Sequence, residues 1–368
     1  MKILIMGFSK IKYMPYMNFY LDDIDTYSND VHLLYWNRDM KGENTSFLEG
    51  VTLHEFLCSQ EDDASKRSKI GSFIKYRNYA KKIIKREKFD FIIILHSMPG
   101  VLLHNIVCKK YNNKYIFDYR DSTYEKFIPF KRIIGKIVKG SSATFVSSDA
   151  FRVFLPKECA DKIFTSHNML MDSLFHRNEK RDFGVESKKI RIAFWGFIRH
   201  EDINKAIIKK IASDDRFELH YYGREQQVAL NLKKYAVDIE APNVFFHGEY
   251  KPEERYEFVR TTDIIHNVYK DPNMMLAMGN KYYDSAIFYI PLMSMRGSFM
   301  AETARKAGIG FDVNPYDDDF TEQLYSLYEN LDKHAFESNC NAELERVLAE
   351  YKFGSELIKR LTDSQGKE

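Results

Sequence analysis

Two apolar runs, KILIMG at 2–7 and IRIAFWG at 190–196, share one form: a continuous hydrophobic stretch, a closing glycine, then a helical pattern. Runs this short and uninterrupted suit strands buried on both faces of a sheet. Further strands are expected near 31–36, 91–95, 114–118 and 143–147 after the first start. After the second they are expected near 217–222, 244–247, 263–267, 291–295 and 309–313. Helical patterns fill the gaps, with a long helix near 68–88 and a helical tail from about 320. Strands that alternate with helices imply parallel sheets. Two strand–glycine–helix starts so far apart imply two doubly wound halves. The polar stretch HRNEKRDFGVESKK, 176–189, is the expected linker, and the last stretch, EYKFGSELIKRL, is expected as a helix that packs back on the first half.

Composition narrows the class. A length of 368 residues exceeds one ordinary α/β core and fits two domains. The hydrophobic share of 44% and charged share of 29% are those of a soluble globular protein, and 17 Gly with 9 Pro leave little material for long linkers. A net charge of +2 gives no general field for nucleic acid, so no such partner is expected. Cys58, Cys108, Cys159 and Cys340 are too far apart for a metal or redox motif and read as reduced thiols of a cytoplasmic protein. The apolar run of MKILIMGFSK is too short for a signal peptide, and no stretch approaches the roughly 18 apolar residues of a spanning helix. The 24 Tyr fit a surface that meets sugars or headgroups, and they fit equally the residue usage of an AT-rich genome.

Ligands of open α/β sheets bind beyond the carboxyl ends of the strands, so the residues after each strand carry the chemistry. In the first half these are Gly7-Phe8-Ser9, the run from His96 to Gly100, Asp118-Tyr119-Arg120-Asp121, and Ser147-Ser148-Asp149, the last a helix N-cap. In the second half they are Gly196-Phe197-Ile198-Arg199, Tyr222-Gly223-Arg224, His247-Gly248-Glu249-Tyr250 and Asn267-Val268-Tyr269. Small residues beside an Arg or an aromatic ring suit an anionic ligand that carries a flat base. Arg199 and Lys281 supply positive charge, and helix N-termini add N–H groups. The stretch NKYYDSAIFYIPLMSMRGSFMAETARKAGIGFDV, 280–313, puts Lys281 and Asp284 on one helical face. Either the pair serves a diphosphate and a ribose, or its two members bind each other.

This layout resembles the GT-B fold glycosyltransferases, nearest to the family 4 type that builds bacterial capsule, O-antigen and exopolysaccharide. The resemblance covers nearly the whole chain and is strongest over 280–313, which looks like that family's K-x-x-E/D … G-x-P … G-x-G donor segment. It implies an α/β fold of two Rossmann-like doubly wound domains facing across a cleft. The acceptor-binding domain would be 1–178, the nucleotide-sugar-binding domain 190–348, and 349–368 a C-terminal helix crossing back. By position, Asp284 matches the carboxylate on the donor ribose, and Lys281 stands in the motif's lysine place. Arg199 after Gly196 resembles the basic residue on the diphosphate. Gly223 and the loop of His247, Gly248 and Tyr250 complete the donor-binding set, the loop holding the base. His96, Arg120 and Asp121 sit where the family faces the reacting hydroxyl. The implied substrates are a UDP- or GDP-linked sugar and a glycan or polyprenyl-linked acceptor, with no cofactor and no metal.

The chain also departs from the pattern. The family often carries two glutamates eight apart; here the later place is Asp284 and the earlier is Leu276, which cannot bind a sugar hydroxyl. The lysine usual after the diphosphate Arg is missing from Arg199-His200-Glu201-Asp202, Lys205 being the nearest, and Met274, Met275 and Met278 stand where polar sugar contacts are common. Breaking a sugar–phosphate bond with oxocarbenium character requires stabilisation of the departing diphosphate, which Arg199, Lys281 and a helix N-terminus supply. The Asp-x-Asp candidates, Asp23-Ile24-Asp25 and Asp317-Asp318-Asp319, lie in polar connections, so no metal site is expected. The resemblance implies retention of configuration, with the diphosphate taking the acceptor proton. A protein base, if one acts, is Asp121 or His96. Asp121 is equally a partner for Arg120 or a cap, and His96 equally a satisfied histidine at a sheet edge.

Residues 66–88 hold ten Lys or Arg and an apolar stripe of Ile70, Phe73, Ile74, Ala80, Ile83 and Ile84; FIPFKRIIGKIVKG, 127–140, is a second basic-apolar run. Such helices either lie on an anionic membrane surface or pack their stripe on the sheet. A lipid-linked acceptor would explain two of them in one half. The expected function is a glycosyltransferase of bacterial surface polysaccharide synthesis, cytoplasmic or at the inner face of the membrane. A UDP-sugar epimerase of the same fold is one alternative, in which the basic runs have no role. A non-catalytic partner subunit, favoured by Leu276, is the other.

Overall fold

The computed structural model describes residues 1–60, 66–122, 124–179, 189–272 and 274–363. The chain divides into two compact units, Met1–His167 with Ala349–Glu368, and Asn168–Leu348. Most of the expected linker, 180–188, lies outside the described residues.

The first unit is built on β1 (Lys2–Met6), β2 (Asp30–Asn37), β3 (Val51–Leu57), β4 (Phe91–Leu95), β5 (Tyr115–Tyr119), β6 (Ala143–Val146) and β7 (Ile163–Thr165). All pair in parallel, in the order β3-β2-β1-β4-β5-β6-β7. The second unit has β8 (Ile190–Trp195), β9 (Phe217–Tyr222), β10 (Val244–Gly248), β11 (Ile264–Asn267), β12 (Leu292–Met295) and β13 (Gly310–Val313). These are parallel in the order β10-β9-β8-β11-β12-β13. Both sheets are doubly wound as expected, and each reverses its strand order beside its first strand. The crevice at that reversal, between β1 and β4 or between β8 and β11, is where such sheets bind ligands.

The central strands are predominantly apolar because helices cover both faces. All five residues of β4, FIIIL, are buried, each contributing roughly 1.5–3 kcal/mol of transfer free energy. In the second unit, the helices Glu201–Ala212, Gln227–Asp238 and Phe320–Glu329 share one core with a sheet face. The helices Asn280–Phe288 and Phe299–Ala307, with the start of Lys333–Thr362, share the other. The last turns of Lys333–Thr362 belong to the first unit, where Leu357 and Ile358 enter the core and Gly354 passes close to Phe19 and Phe145.

Two strands, β3 and β7, were not expected. β3, VTLHEFL, is only half-buried and mixes His54 and Glu55 with apolar residues; β7 is three residues long. Neither pattern stands out by periodicity. The basic helix Lys66–Glu87 also differs from its expected single stripe. Ser72, Tyr76, Ala80, Ile83 and Ile84 face the interior, and the Tyr76 hydroxyl donates to the Gly7 carbonyl at 2.6 Å. Ile70 and Ile74 are 57% and 51% exposed and lie on another side of the helix.

Candidate functional site

In the second unit three glycines close neighbouring strands. Gly196 ends β8 at φ +115°, Gly223 follows β9, and Gly248 ends β10 at φ +80°. The Gly196 N–H donates to Tyr222 and the Gly223 N–H to Gly248. A Cβ on Gly223 would collide with the Gly196 carbonyl oxygen. The result is a low shelf of bare backbone at the carboxyl edge of the sheet, which a ligand can approach closely.

Lys281 stands over this shelf from the first turn of the helix Asn280–Phe288. Its Nζ lies 4.3 Å from the Phe194 ring centroid, and a Cβ on Gly196 would be 3.8 Å from it. Among the described residues no carboxylate forms an ion pair with it. Burial, together with the positive Arg255 and Arg199, outweighs the nearby Asp284 and lowers the ammonium pKa to about 8. A cation held off from its counter-ion above bare backbone is prepared for an anion. Arg199 is exposed and lies on the Phe197 ring at 4.5 Å. Its loop is fixed from below by Asn204, whose amide donates to the carbonyls of Arg199 and His200 at 2.7 and 3.0 Å. Asn204 in turn accepts from Tyr221 and meets buried His266, whose pKa burial pushes down to about 3. This buried polar network was not recognised in the sequence. Its members are ordinary residues on three separate elements, and only folding gathers them.

Asp284 differs from its expected place. Only 1% of it is exposed; it accepts from the Trp195 indole N–H at 3.1 Å and lies 3.8 Å from Arg255. Burial raises its pKa. Among the described residues it therefore forms its contacts with Trp195 and Arg255 rather than an ion pair with Lys281. Its alternative partners, Trp195 and Arg255, gave no sequence signal because they lie on other elements. The exposed His247 ring stacks on Tyr222 at 4.2 Å and contacts His220 at 3.0 Å. Tyr250 packs edge-on against Phe258. Gly248 leaves open space where the loop backbone is exposed to a ligand. Met275 and Met278 pack into the two cores rather than toward a ligand.

In the first unit a cavity of about 410 Å³ opens at the β1/β4 reversal. Its polar lining includes Arg38, Lys69, His96 and Asp121, and its rings include Phe8, Tyr16 and Phe73. His96 follows β4 at φ 80° and ψ 152°, a region close to glycine-only that costs about 1–3 kcal/mol. Its Nδ1 accepts from the Met98 backbone N–H at 3.2 Å, which puts the proton of the neutral ring on Nε2. Burial lowers its pKa, so the neutral form is favoured. Nε2 faces Asp121 at 3.9 Å. His96 therefore presents an N–H to this cavity, and the exposed carboxylate of Asp121 stands beside it. Arg120 needs a correction. It is buried, donates to Asp118 at 2.9 Å and Ser166 at 3.1 Å, and stacks on Tyr16 at 4.0 Å. It braces the loop instead of lining the cavity, and its partner is Asp118, not Asp121. Arg38, which follows β2 and stacks on Trp36 at 4.5 Å, was missed because β2 was read without its strand end.

Among the described residues no group of three or more His, Cys, Asp or Glu is placed to hold a metal ion. Of the Asp-x-Asp candidates, Asp23 accepts from Ser355 at 2.6 Å and Asp317 pairs with Arg296 at 2.7 Å, so both are engaged with side chains of other segments.

No family model and no curated protein matches this chain. Solved structures do. Sucrose-phosphate synthase from Thermosynechococcus elongatus aligns with a TM-score of 0.68 at 10% identity, over 98% of each chain. Alr3699/HepE from Anabaena, solved in complex with UDP, aligns with a TM-score of 0.67 at 13% identity, over 98% of this chain and 100% of that one. UDP-GlcNAc 2-epimerase from Neisseria meningitidis, bound to UDP-GlcNAc, gives a TM-score of 0.58 at 12% identity, over 95% and 100%. With two parallel α/β units and near-complete coverage, the chain has the GT-B fold of the glycosyltransferases it resembles.

Proposed function

We propose that this chain is a glycosyltransferase that moves a sugar from a nucleoside diphosphate donor, held by the second unit, to a glycan acceptor held by the first. The observation that carries this reading is Lys281. It is a partly buried ammonium with no carboxylate in ion-pair contact among the described residues, placed over a glycine shelf at the reversal point of a doubly wound sheet. There a diphosphate restores the missing counter-charge. Arg199 adds a second cation, and the Gly248 backbone offers hydrogen bonds to a base. UDP is the favoured nucleotide, since Alr3699/HepE was solved with it.

In the reaction the anomeric carbon–oxygen bond to the diphosphate lengthens, and negative charge accumulates on the departing phosphate. Lys281 and Arg199 stabilise that charge, which grows toward the transition state. The acceptor hydroxyl attacks the anomeric carbon and releases its proton. Retention of configuration follows if attack comes from the leaving-group face, with the diphosphate oxygen taking the proton; Asp121 is the protein group available for the same task. His96, as Nε2–H donor, orients whatever oxygen lies against Asp121. Residues of this chain account for each of these roles without a metal. We place the activity in bacterial surface polysaccharide synthesis, by family 4 resemblance.

The epimerase alternative shares the fold, as the Neisseria neighbour illustrates. Incubating the full chain with UDP-, GDP- and ADP-sugars separates the two. A transferase acting on water releases free UDP and sugar from a UDP-sugar. An epimerase yields a sugar inverted at one ring carbon, either free or still on UDP, an outcome that would replace the transferase reading.

A further inference from the structure

The proposed acceptor cavity has an unusual surround. Tyr13 and Tyr124 line it and are 58% and 54% exposed. Phe73 lines it from the helix Lys66–Glu87, and the residues on either side of Phe73 along that helix surface, Ile70 and Ile74, point to solvent. Just after Tyr124 come Phe127 and Ile128, each 63% exposed. Six large apolar side chains on three segments thus stand in water near one opening. Isolated exposed apolar residues are ordinary, but a gathered set marks an interaction surface.

The charge of these segments identifies the partner. Residues 66–86 carry nine Lys or Arg and no Asp or Glu; residues 126–140 carry five Lys or Arg and no Asp or Glu. Exposed Lys75 lies beside Ile74, and exposed Lys126, Lys131 and Arg132 flank Phe127 and Ile128. The net charge of the whole chain is only +2, so the positive charge is concentrated here rather than spread. The inward side of each helix is already satisfied: Tyr76, Ala80, Ile83 and Ile84 on the first, and Phe130, Ile134, Ile137 and Val138 on the second, are buried. The outward apolar residues are therefore not needed for packing. Apolar side chains framed by cations fit the headgroup–acyl boundary of an anionic bilayer. A soluble acidic protein would match the cations and leave the isoleucines without a role.

We infer that the first unit rests on an anionic membrane surface through Tyr13, Ile70, Ile74, Tyr124, Phe127 and Ile128, so that the acceptor cavity opens at the bilayer and receives an acceptor carried on a lipid. This rests on the transferase reading for the acceptor, but the surface itself does not.

Flotation of the full chain with vesicles tests it. Binding is expected to vesicles of phosphatidylcholine with phosphatidylglycerol, to be weak with phosphatidylcholine alone, and to fall as salt is raised. Ile70→Ser with Ile74→Ser, and separately Phe127→Ser with Ile128→Ser, are expected to lower partitioning at least tenfold. All four residues are exposed, so the fold is retained, and UDP affinity measured on the same variants is expected to be unchanged. An Ile70→Trp variant, with vesicles of brominated lipid, is expected to lose its added fluorescence, which places that side chain within the bilayer. Undiminished partitioning of both double variants, or no binding to anionic vesicles by a chain that binds UDP, overturns the inference. A chain that binds vesicles as expected but neither binds UDP nor turns over a UDP-sugar leaves the membrane surface standing and removes the transferase reading instead.

Discussion

At the scale of single residues, Lys281 joins a cost in stability to a gain in function. Its folded pKa, about 8, lies below the ordinary lysine value of 10.5. Between those values the unfolded chain binds more protons than the folded one, so stability rises with pH across that window. The penalty of burying the charge is fully present below about pH 8. Lys281→Met is therefore expected to raise the melting temperature of the ligand-free protein at pH 7 and to flatten this pH dependence. A melting series from pH 7 to 10 checks both; an unchanged profile would mean that another group sets it. Asp121 and His96 divide differently. If Asp121 takes the proton and His96 donates, Asp121→Asn is expected to lower donor turnover by about 10²-fold, the lower range for a general base. His96→Gln, which keeps an N–H donor, is expected to retain most of it. The opposite ranking would make His96 the base.

At the scale of elements, the strand ends matter more than the strands. Gly223 lies where the β8 and β9 termini touch, and there is no room for a Cβ against the Gly196 carbonyl. Gly223→Ala is expected to push these ends apart at a cost of about 1–3 kcal/mol, as for overpacking, and to weaken nucleotide binding with it. Denaturation and UDP titration of the same variant measure the two effects; an unaltered affinity would show that the shelf is not in contact with the ligand. The strands themselves were legible because buried parallel strands are nearly pure apolar runs. All six of the second unit fall within a residue or two of their expected places. β3 was not legible, since a half-exposed edge strand with His54 and Glu55 has no such run. The site was legible only in part. Glycine after a strand and a cation at a helix start are local signals, so Gly196, Gly223 and Lys281 could be read. The engagement of Asp284 with Trp195 and Arg255, and of Arg120 with Ser166, depends on contacts between elements. Sequence spacing had suggested nearer partners for both.

At the scale of the whole molecule, the two units have related topologies and different equipment. Each sheet reverses beside its first strand, and each reversal point carries a positive side chain. The second unit pairs its cation with bare backbone, which suits a phosphate. The first pairs its cations with aromatic rings and a single exposed carboxylate, which suits a polyhydroxylated acceptor. Among the described residues no helix is long and apolar enough to cross a membrane. The central claim is that a nucleoside diphosphate binds over the β8–β10 glycine shelf against Lys281. Calorimetric titration of the full chain with UDP at neutral pH tests it most directly. The expected result is one site per chain, weakened about tenfold or more in Lys281→Met, as for loss of a charge-assisted contact. No heat of binding to the wild-type chain with UDP, GDP or ADP, or equal affinity in Lys281→Met, would contradict it.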